Sequence, residues 1–220
     1  MSNTDSFIEE VTEEVKRDKL FAIFRKYGWI GIVGVVALVG GASYNEYAKS
    51  KARVQAEAAG DAISAALSVE DTQARADALA AIDLTGQPRI VSDMIRAGEL
   101  HELGNVDGAV ATLAPYVADA TLAPVYRDLA LLKTAMLGAS KMDPEARIEL
   151  LAGIASPGAP YRLLAEEQIA VAQIESGQLD AAIEGLRAVA EDGEASQALR
   201  RRAVQMIVAL GGDLNADTDG

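Results

Sequence analysis

The chain has no cysteine. That excludes disulfides, thiolate metal sites and a lipid-bearing N-terminal cysteine, and it leaves the compartment open. Histidine is nearly missing as well: His101 stands alone. No His-Glu pair at ligand spacing can therefore form, and neither a Gly-rich phosphate loop nor a Gly-x-Ser-x-Gly elbow occurs. These absences argue against an enzyme; no catalytic residue, cofactor, metal or small-molecule substrate is expected. Aromatic residues make up only 5% of a chain that is 50% hydrophobic, and an Ala-dominated apolar content favours packed helices over sheets. Positive charge is scarce too, with 20 basic residues against 33 acidic ones and a formal net charge of −13. Residues 1–26 hold five basic and six acidic side chains, so the rest carries 15 basic against 27 acidic. That sign is wrong for nucleic acid.

What is present begins with one uncharged run, Tyr27 to Asn45, between Arg25-Lys26 and Glu46. As a helix it covers ~28 Å, about the hydrocarbon thickness of a bilayer. Residues 27–45 are therefore read as a transmembrane anchor, with Ile30, Ile32, Val33, Val35, Val36, Leu38 and Val39 facing lipid. Tyr27, Trp29 and Tyr44 stand near its ends, as interfacial aromatic residues do. A signal-peptide reading, with Ile30–Val39 as the apolar region and cleavage after Ala42, conflicts with the long preceding segment and the apolar run through Tyr44. Before the anchor lie Lys16, Arg17, Lys19, Arg25 and Lys26; after it come Lys49, Lys51 and Arg53. The basic excess favours an N-terminus in the cytoplasm and a C-terminal body outside it, in a bacterium the periplasm. Gly31, Gly34, Ala37 and Gly41 would admit a close neighbouring helix, although no Gly-xxx-Gly pair is present.

The tail, residues 1–26, places Phe7, Ile8, Val11, Val15, Leu20, Ile23 and Phe24 at helical spacing behind Asp5 as a candidate N-cap. It reads either as an amphipathic helix, lying on the headgroups or docked on a membrane partner, or as a partly disordered stub. Residues 46–87 read as a helical stalk and the first helices of the body. Asp71–Leu84 forms a short helix, closed by the turn signal Thr85-Gly86-Gln87-Pro88.

A repeat follows over residues 88–194. Pro88, Pro124 and Pro160 are 36 residues apart, each where a helix can begin and the missing N–H does no harm. Gly104-Asn105-Val106-Asp107-Gly108-Ala109 has a counterpart in Gly177-Gln178-Leu179-Asp180-Ala181-Ala182, with Leu113 and Leu186 four residues further on. Ala97 and Ala170 precede each Gly by seven residues, and the middle unit keeps only Ala146 and Leu150 in its second helix. These segments resemble the turn between the paired helices of tetratricopeptide repeats, where small residues let helices approach and Leu fills the gap. The large aromatics of that family are missing from the first helix, with Leu100 and Gln173 in one such place. Residues 195–211 then form a last helix, with Arg200-Arg201-Arg202 as a solvated face and Ala203, Met206, Ile207 and Leu210 covering the final repeat. Residues 212–220 read as a disordered acidic tail: Asp213 to Gly220 imitates a calcium loop that lacks its later Glu.

The expected fold is all-α, a single N-terminal transmembrane helix followed by a short tetratricopeptide-like solenoid. Tail, anchor, stalk, repeats and Arg-rich last helix together are similar to the YfgM-like ancillary subunits of the SecYEG translocon. That resemblance implies a single-pass inner-membrane protein associating with translocon subunits, periplasmic chaperones or exported chains. The same repeat domain occurs in a coordinator of cell division, which leaves a cell-envelope or cell-division scaffold as the alternative, beside a self-associating structural repeat. In a repeat trough, Met94, His101, Glu102, Glu167, Val171 and Glu175 would face a bound protein segment.

Overall fold

The computed structural model describes residues 3–213, and says nothing of the side chains of residues 3–24, Tyr27, Gly28 and Ile32. The tail from Leu214 onward, including the rest of the calcium-loop imitation, lies outside the described residues, as do the side chains of the amphipathic tail pattern. Two compact units divide the chain, Met1–Ala58 and Ala59–Gly220.

The first unit is one stretch of helix α1 (Asn3–Leu67). No proline precedes Pro88, and Gly31, Gly34, Gly40 and Gly41 all stay helical. The helix is already under way at Asn3, so Asp5 sits inside its first turn instead of capping it. Among the described residues, Trp29–Leu67 is the one helical stretch long and apolar enough to cross a membrane. Every side chain from Val33 to Ala58 is exposed. In lipid such a helix satisfies its own backbone, which is why glycines there need not break it.

Among its described residues the second unit holds the end of α1 and eight further helices: α2 (Thr72–Ala81), α3 (Gln87–Glu102), α4 (Val106–Ala118), α5 (Pro124–Leu137), α6 (Pro144–Ala152), α7 (Arg162–Glu175), α8 (Leu179–Glu191) and α9 (Gln197–Ala209). The described residues contain no strand. Capping side chains set several starts: Asp71 accepts from the Ala74 N–H, Asn105 from Gly108, Asp143 from Glu145 and Ser196 from Leu199. Pro88 and Pro124 lie in the first turns of α3 and α5. Pro160 departs from the expected pattern: it precedes Arg162 by two residues, and Tyr161 is the N-cap of α7. Pro115, inside α4, shows that proline alone does not mark a helix start.

The two Gly turns are alike in detail. Gly104 and Gly177 take φ of 75° and 79°, the left-handed region open to a residue without Cβ. The N–H one residue on then reaches back five residues, Asn105 to Leu100 at 2.9 Å and Gln178 to Gln173 at 2.8 Å. Each chain reversal lets the next helix fold against the last.

Packing is between sequence neighbours from α2 to α9, with two additions: α3 meets α5, and α5 meets α7. Helices α3, α5 and α7 therefore form one row. Counting from each N-cap, the fourth and eighth residues of α4, α6 and α8 point inward: Ala109 and Leu113, Arg147 and Leu151, Ala182 and Leu186. This corrects the sequence register in the middle unit, where Ala146 is exposed and Leu150 only partly buried. Asp143-Pro144 sets the phase of α6, so a buried Arg occupies the place where the other units have Ala.

Candidate protein-binding surface

Of the side chains expected to face lipid, Trp29, Ile30, Val33, Val35, Val36, Leu38, Val39 and Tyr44 are all exposed on α1. Tyr27 and Ile32 fall among the side chains outside the description. An apolar helix with no protein cover is suited to a lipid environment.

The six trough candidates separate. Met94 is 5% exposed and packs with Ile90, Ala97, Leu113 and Ala130. It is a core residue, because it lies four residues after Ile90 and three before Ala97 and so shares their inward face. Glu167, also 5% exposed, is held by Arg202, whose Nε and Nη2 each donate to its carboxylate at 2.7 Å. Neither is open to a ligand. Glu175 is exposed, but its carboxylate pairs at 2.7 Å with the buried guanidinium of Arg147. Val171 is half-buried, while His101 and Glu102 are exposed at the end of α3. The tertiary structure thus leaves His101, Glu102, Val171 and part of Glu175 accessible.

Arg201 and Arg202 are exposed, as a solvated face requires, but Arg200 is half-buried and the three do not point one way. Successive residues on a helix point about 100° apart, and here they diverge: Arg200 donates to the carbonyls of Asp192 and Ala195, Arg201 to that of Gln197, and Arg202 to Glu167. Other arginines act in the same stapling manner. Arg75 of α2 meets Glu99 of α3 at 2.5 Å. Arg162, opening α7, donates to Asp192 at 2.8 Å and Glu194 at 2.9 Å. Those bonds raise the Arg162 pKa further above its usual range, Asp192 contributing most, and the Arg162 bond holds Asp192 below the usual carboxylate range. At the other end, the Tyr116 hydroxyl donates to Asp93 Oδ2, which also accepts from Arg89 Nε at 2.9 Å. Arg89 Nη1 in turn reaches the carbonyls of Ala80 and Ile82, closing the end of α2. Burial, then the hydrogen bond to the Asp93 carboxylate, pushes the Tyr116 pKa up to about 12.

With those faces occupied, one direction stays open on α3, α5 and α7. Counting back thirteen residues from Gly104, Gly138 and Gly177 gives Val91, Val125 and Leu164, exposed at 41%, 43% and 36%. Eleven residues after each come Glu102, Met136 and Glu175, all exposed and, at that spacing, on the same helical face. The sequence reading missed Val91, Val125, Leu164 and Met136. The signal that finds them is the common distance to the Gly at each helix end. Among the described residues no group of three or more His, Asp or Glu side chains is placed to hold a metal ion.

Comparison with protein-family models, curated proteins and solved structures returned no match to this chain.

Proposed function

We propose that this protein is a membrane-anchored adaptor of chaperone-like character. Its single N-terminal helix crosses the bacterial inner membrane with the tail in the cytoplasm, and its helical body stands in the periplasm. There the body, a short tetratricopeptide-like solenoid, binds translocon subunits, periplasmic chaperones or exporting chains. The observation that carries this reading is the pairing of an uncovered apolar helix with a body whose three-helix row repeats one exposed register. Equivalent positions on successive helices form a continuous surface, the arrangement by which helical repeats hold extended segments. Absent cysteine and a solitary, exposed histidine give the chain little to catalyse with, which favours binding over chemistry.

The test is crosslinking in intact membranes followed by mild solubilisation and capture of the full chain. Translocon subunits or exporting chains are the expected yield; division or peptidoglycan proteins alone would replace this reading with the envelope-scaffold one. A reporter fused after Gly220 checks sidedness, and cytoplasmic activity would overturn the topology.

A further inference from the structure

We propose that the stripe formed by Val91, Val125, Leu164 and Met136 is a docking surface for a short extended segment that alternates aliphatic and basic side chains. The inference deepens the adaptor reading and rests on it, since it names the chemistry of what the body binds.

Two observations converge. The first is the apolar register itself. Val91, Val125 and Leu164 are the fifth, second and third residues of α3, α5 and α7, and Met136 lies at the far end of α5, 47% exposed. Adjacent helix axes are separated by about 8–10 Å, so the stripe from α3 across α5 to α7 extends for ~16–20 Å. An extended chain covers that length in about six residues, with alternate side chains on the side facing the stripe. Aliphatic side chains at alternate positions of that segment stand about 7 Å apart and have to splay to reach sites spaced about 8–10 Å.

The second observation is charge. The body from Ala59 onward contains 12 basic and 25 acidic residues, whereas residues 1–58 contain eight of each. Arg75, Arg89, Arg127, Arg147, Arg162 and Arg202 are tied to carboxylates within the body. Acidic side chains remain in excess at the surface, and Glu102 and Glu175, the latter shared with Arg147, lie on the same helical faces about 16 Å further along α3 and α7. An apolar strip within a negative field attracts a segment whose remaining side chains are Lys or Arg, and repels an acidic one of equal hydrophobicity. A second copy of this body carries the same negative charge, which disfavours self-association through this face.

The experiment uses the full chain in zwitterionic nanodiscs, with empty discs as the blank. Three fluorescent twelve-residue peptides are titrated by anisotropy: alternating Leu/Lys, Leu/Glu and Ser/Lys. The Leu/Lys peptide is expected to bind at least about tenfold more tightly than either other, with affinity falling as salt rises. The double substitution Val125→Lys with Met136→Lys should weaken it by about tenfold or more at an unchanged melting temperature, because both side chains are exposed. Equal binding of Leu/Lys and Leu/Glu overturns the proposal, as does equal binding by the double variant. Disulfide-linked pairs from Met136→Cys, in a chain without other thiols, combined with no peptide binding would assign the stripe to a second copy instead. Failure of this inference is separable from failure of the adaptor reading. Partner capture from membranes by the double variant at the normal yield removes the stripe and keeps the adaptor; peptide binding without any captured partner removes the adaptor.

Discussion

The two units are built from similar apolar residues, yet one is an uninterrupted helix and the other turns back on itself repeatedly. Between residues 1 and 58 there is no proline, and glycines at 31, 34, 40 and 41 lie inside the helix. All six prolines lie after Ala59, and Gly86, Gly104, Gly158, Gly177 and Gly211, also in the second unit, adopt positive φ. Glycine is therefore not a breaker by nature. It ends a helix where a cap and a tertiary neighbour make use of the left-handed turn, and it is carried along where nothing competes with the backbone ladder. Burial tells the same story: Leu38 is 76% exposed and Leu186 fully buried. One leucine faces whatever surrounds the helix, the other faces its own protein.

The strongest way to break this comparison is to truncate both leucines. Leu186→Ala should lower the stability of the body by about 3 kcal/mol through lost burial and a cavity. Leu38→Ala should leave the body's thermal transition where it was. Scanning calorimetry or circular dichroism on the full chain reads both, and equal effects would deny the separation of units.

Next in size is the staple between α7 and α9. Arg202→Met strands the buried Glu167 carboxylate, and a loss of about 2 kcal/mol is expected in denaturant unfolding. Adding Glu167→Met should recover much of it, since no charge is then left unpaired. A double variant as weak as the single one would mean that the pair matters for packing rather than for charge.

The glycine contrast gives a smaller effect. Gly177→Ala forces a Cβ into a left-handed turn at a φ of 79° and should destabilise the body by about 1 kcal/mol. Gly34→Ala, with open space around it, should leave the body's unfolding unchanged. Melting curves of the two variants side by side check the point.

The least of these effects is at alkaline pH. The Tyr116 pKa is raised from 10.0 to about 12, so its protonated form is favoured by folding. The associated stability is whole below pH 10 and is lost as pH rises toward 12. Ultraviolet difference titration should show Tyr116 ionising late, with Tyr161 also raised by burial, and Tyr116→Phe should remove the Tyr116 step. An unchanged titration in Tyr116→Phe would overturn the assignment.

Legibility differed along the chain for physical reasons. The apolar run and a helix beginning at Asp71 were plain because both are local: one is a string of residues, the other starts where a side chain bonds three residues ahead. The Gly104 and Gly177 turns were equally plain. The middle hairpin was not, since the packing phase of α6 follows its N-cap, and Arg147 in a small-residue position carries no apolar signal. Met94 was placed on the wrong side of α3, and the three consecutive arginines were assigned one face they do not share. In each case the missing information was which neighbouring helix takes which side.

By itself, the sequence determined most of the helices, the long apolar run and the reversals, because periodicity, caps and left-handed glycines act within a few residues. Tertiary structure alone decided which polar groups are spent on the interior and which apolar ones remain outside. Glu167 and Asp93 become internal acceptors, while Val91, Val125 and Leu164 stay open. Exposure is a property of the neighbours a side chain meets, and those neighbours lie many residues away.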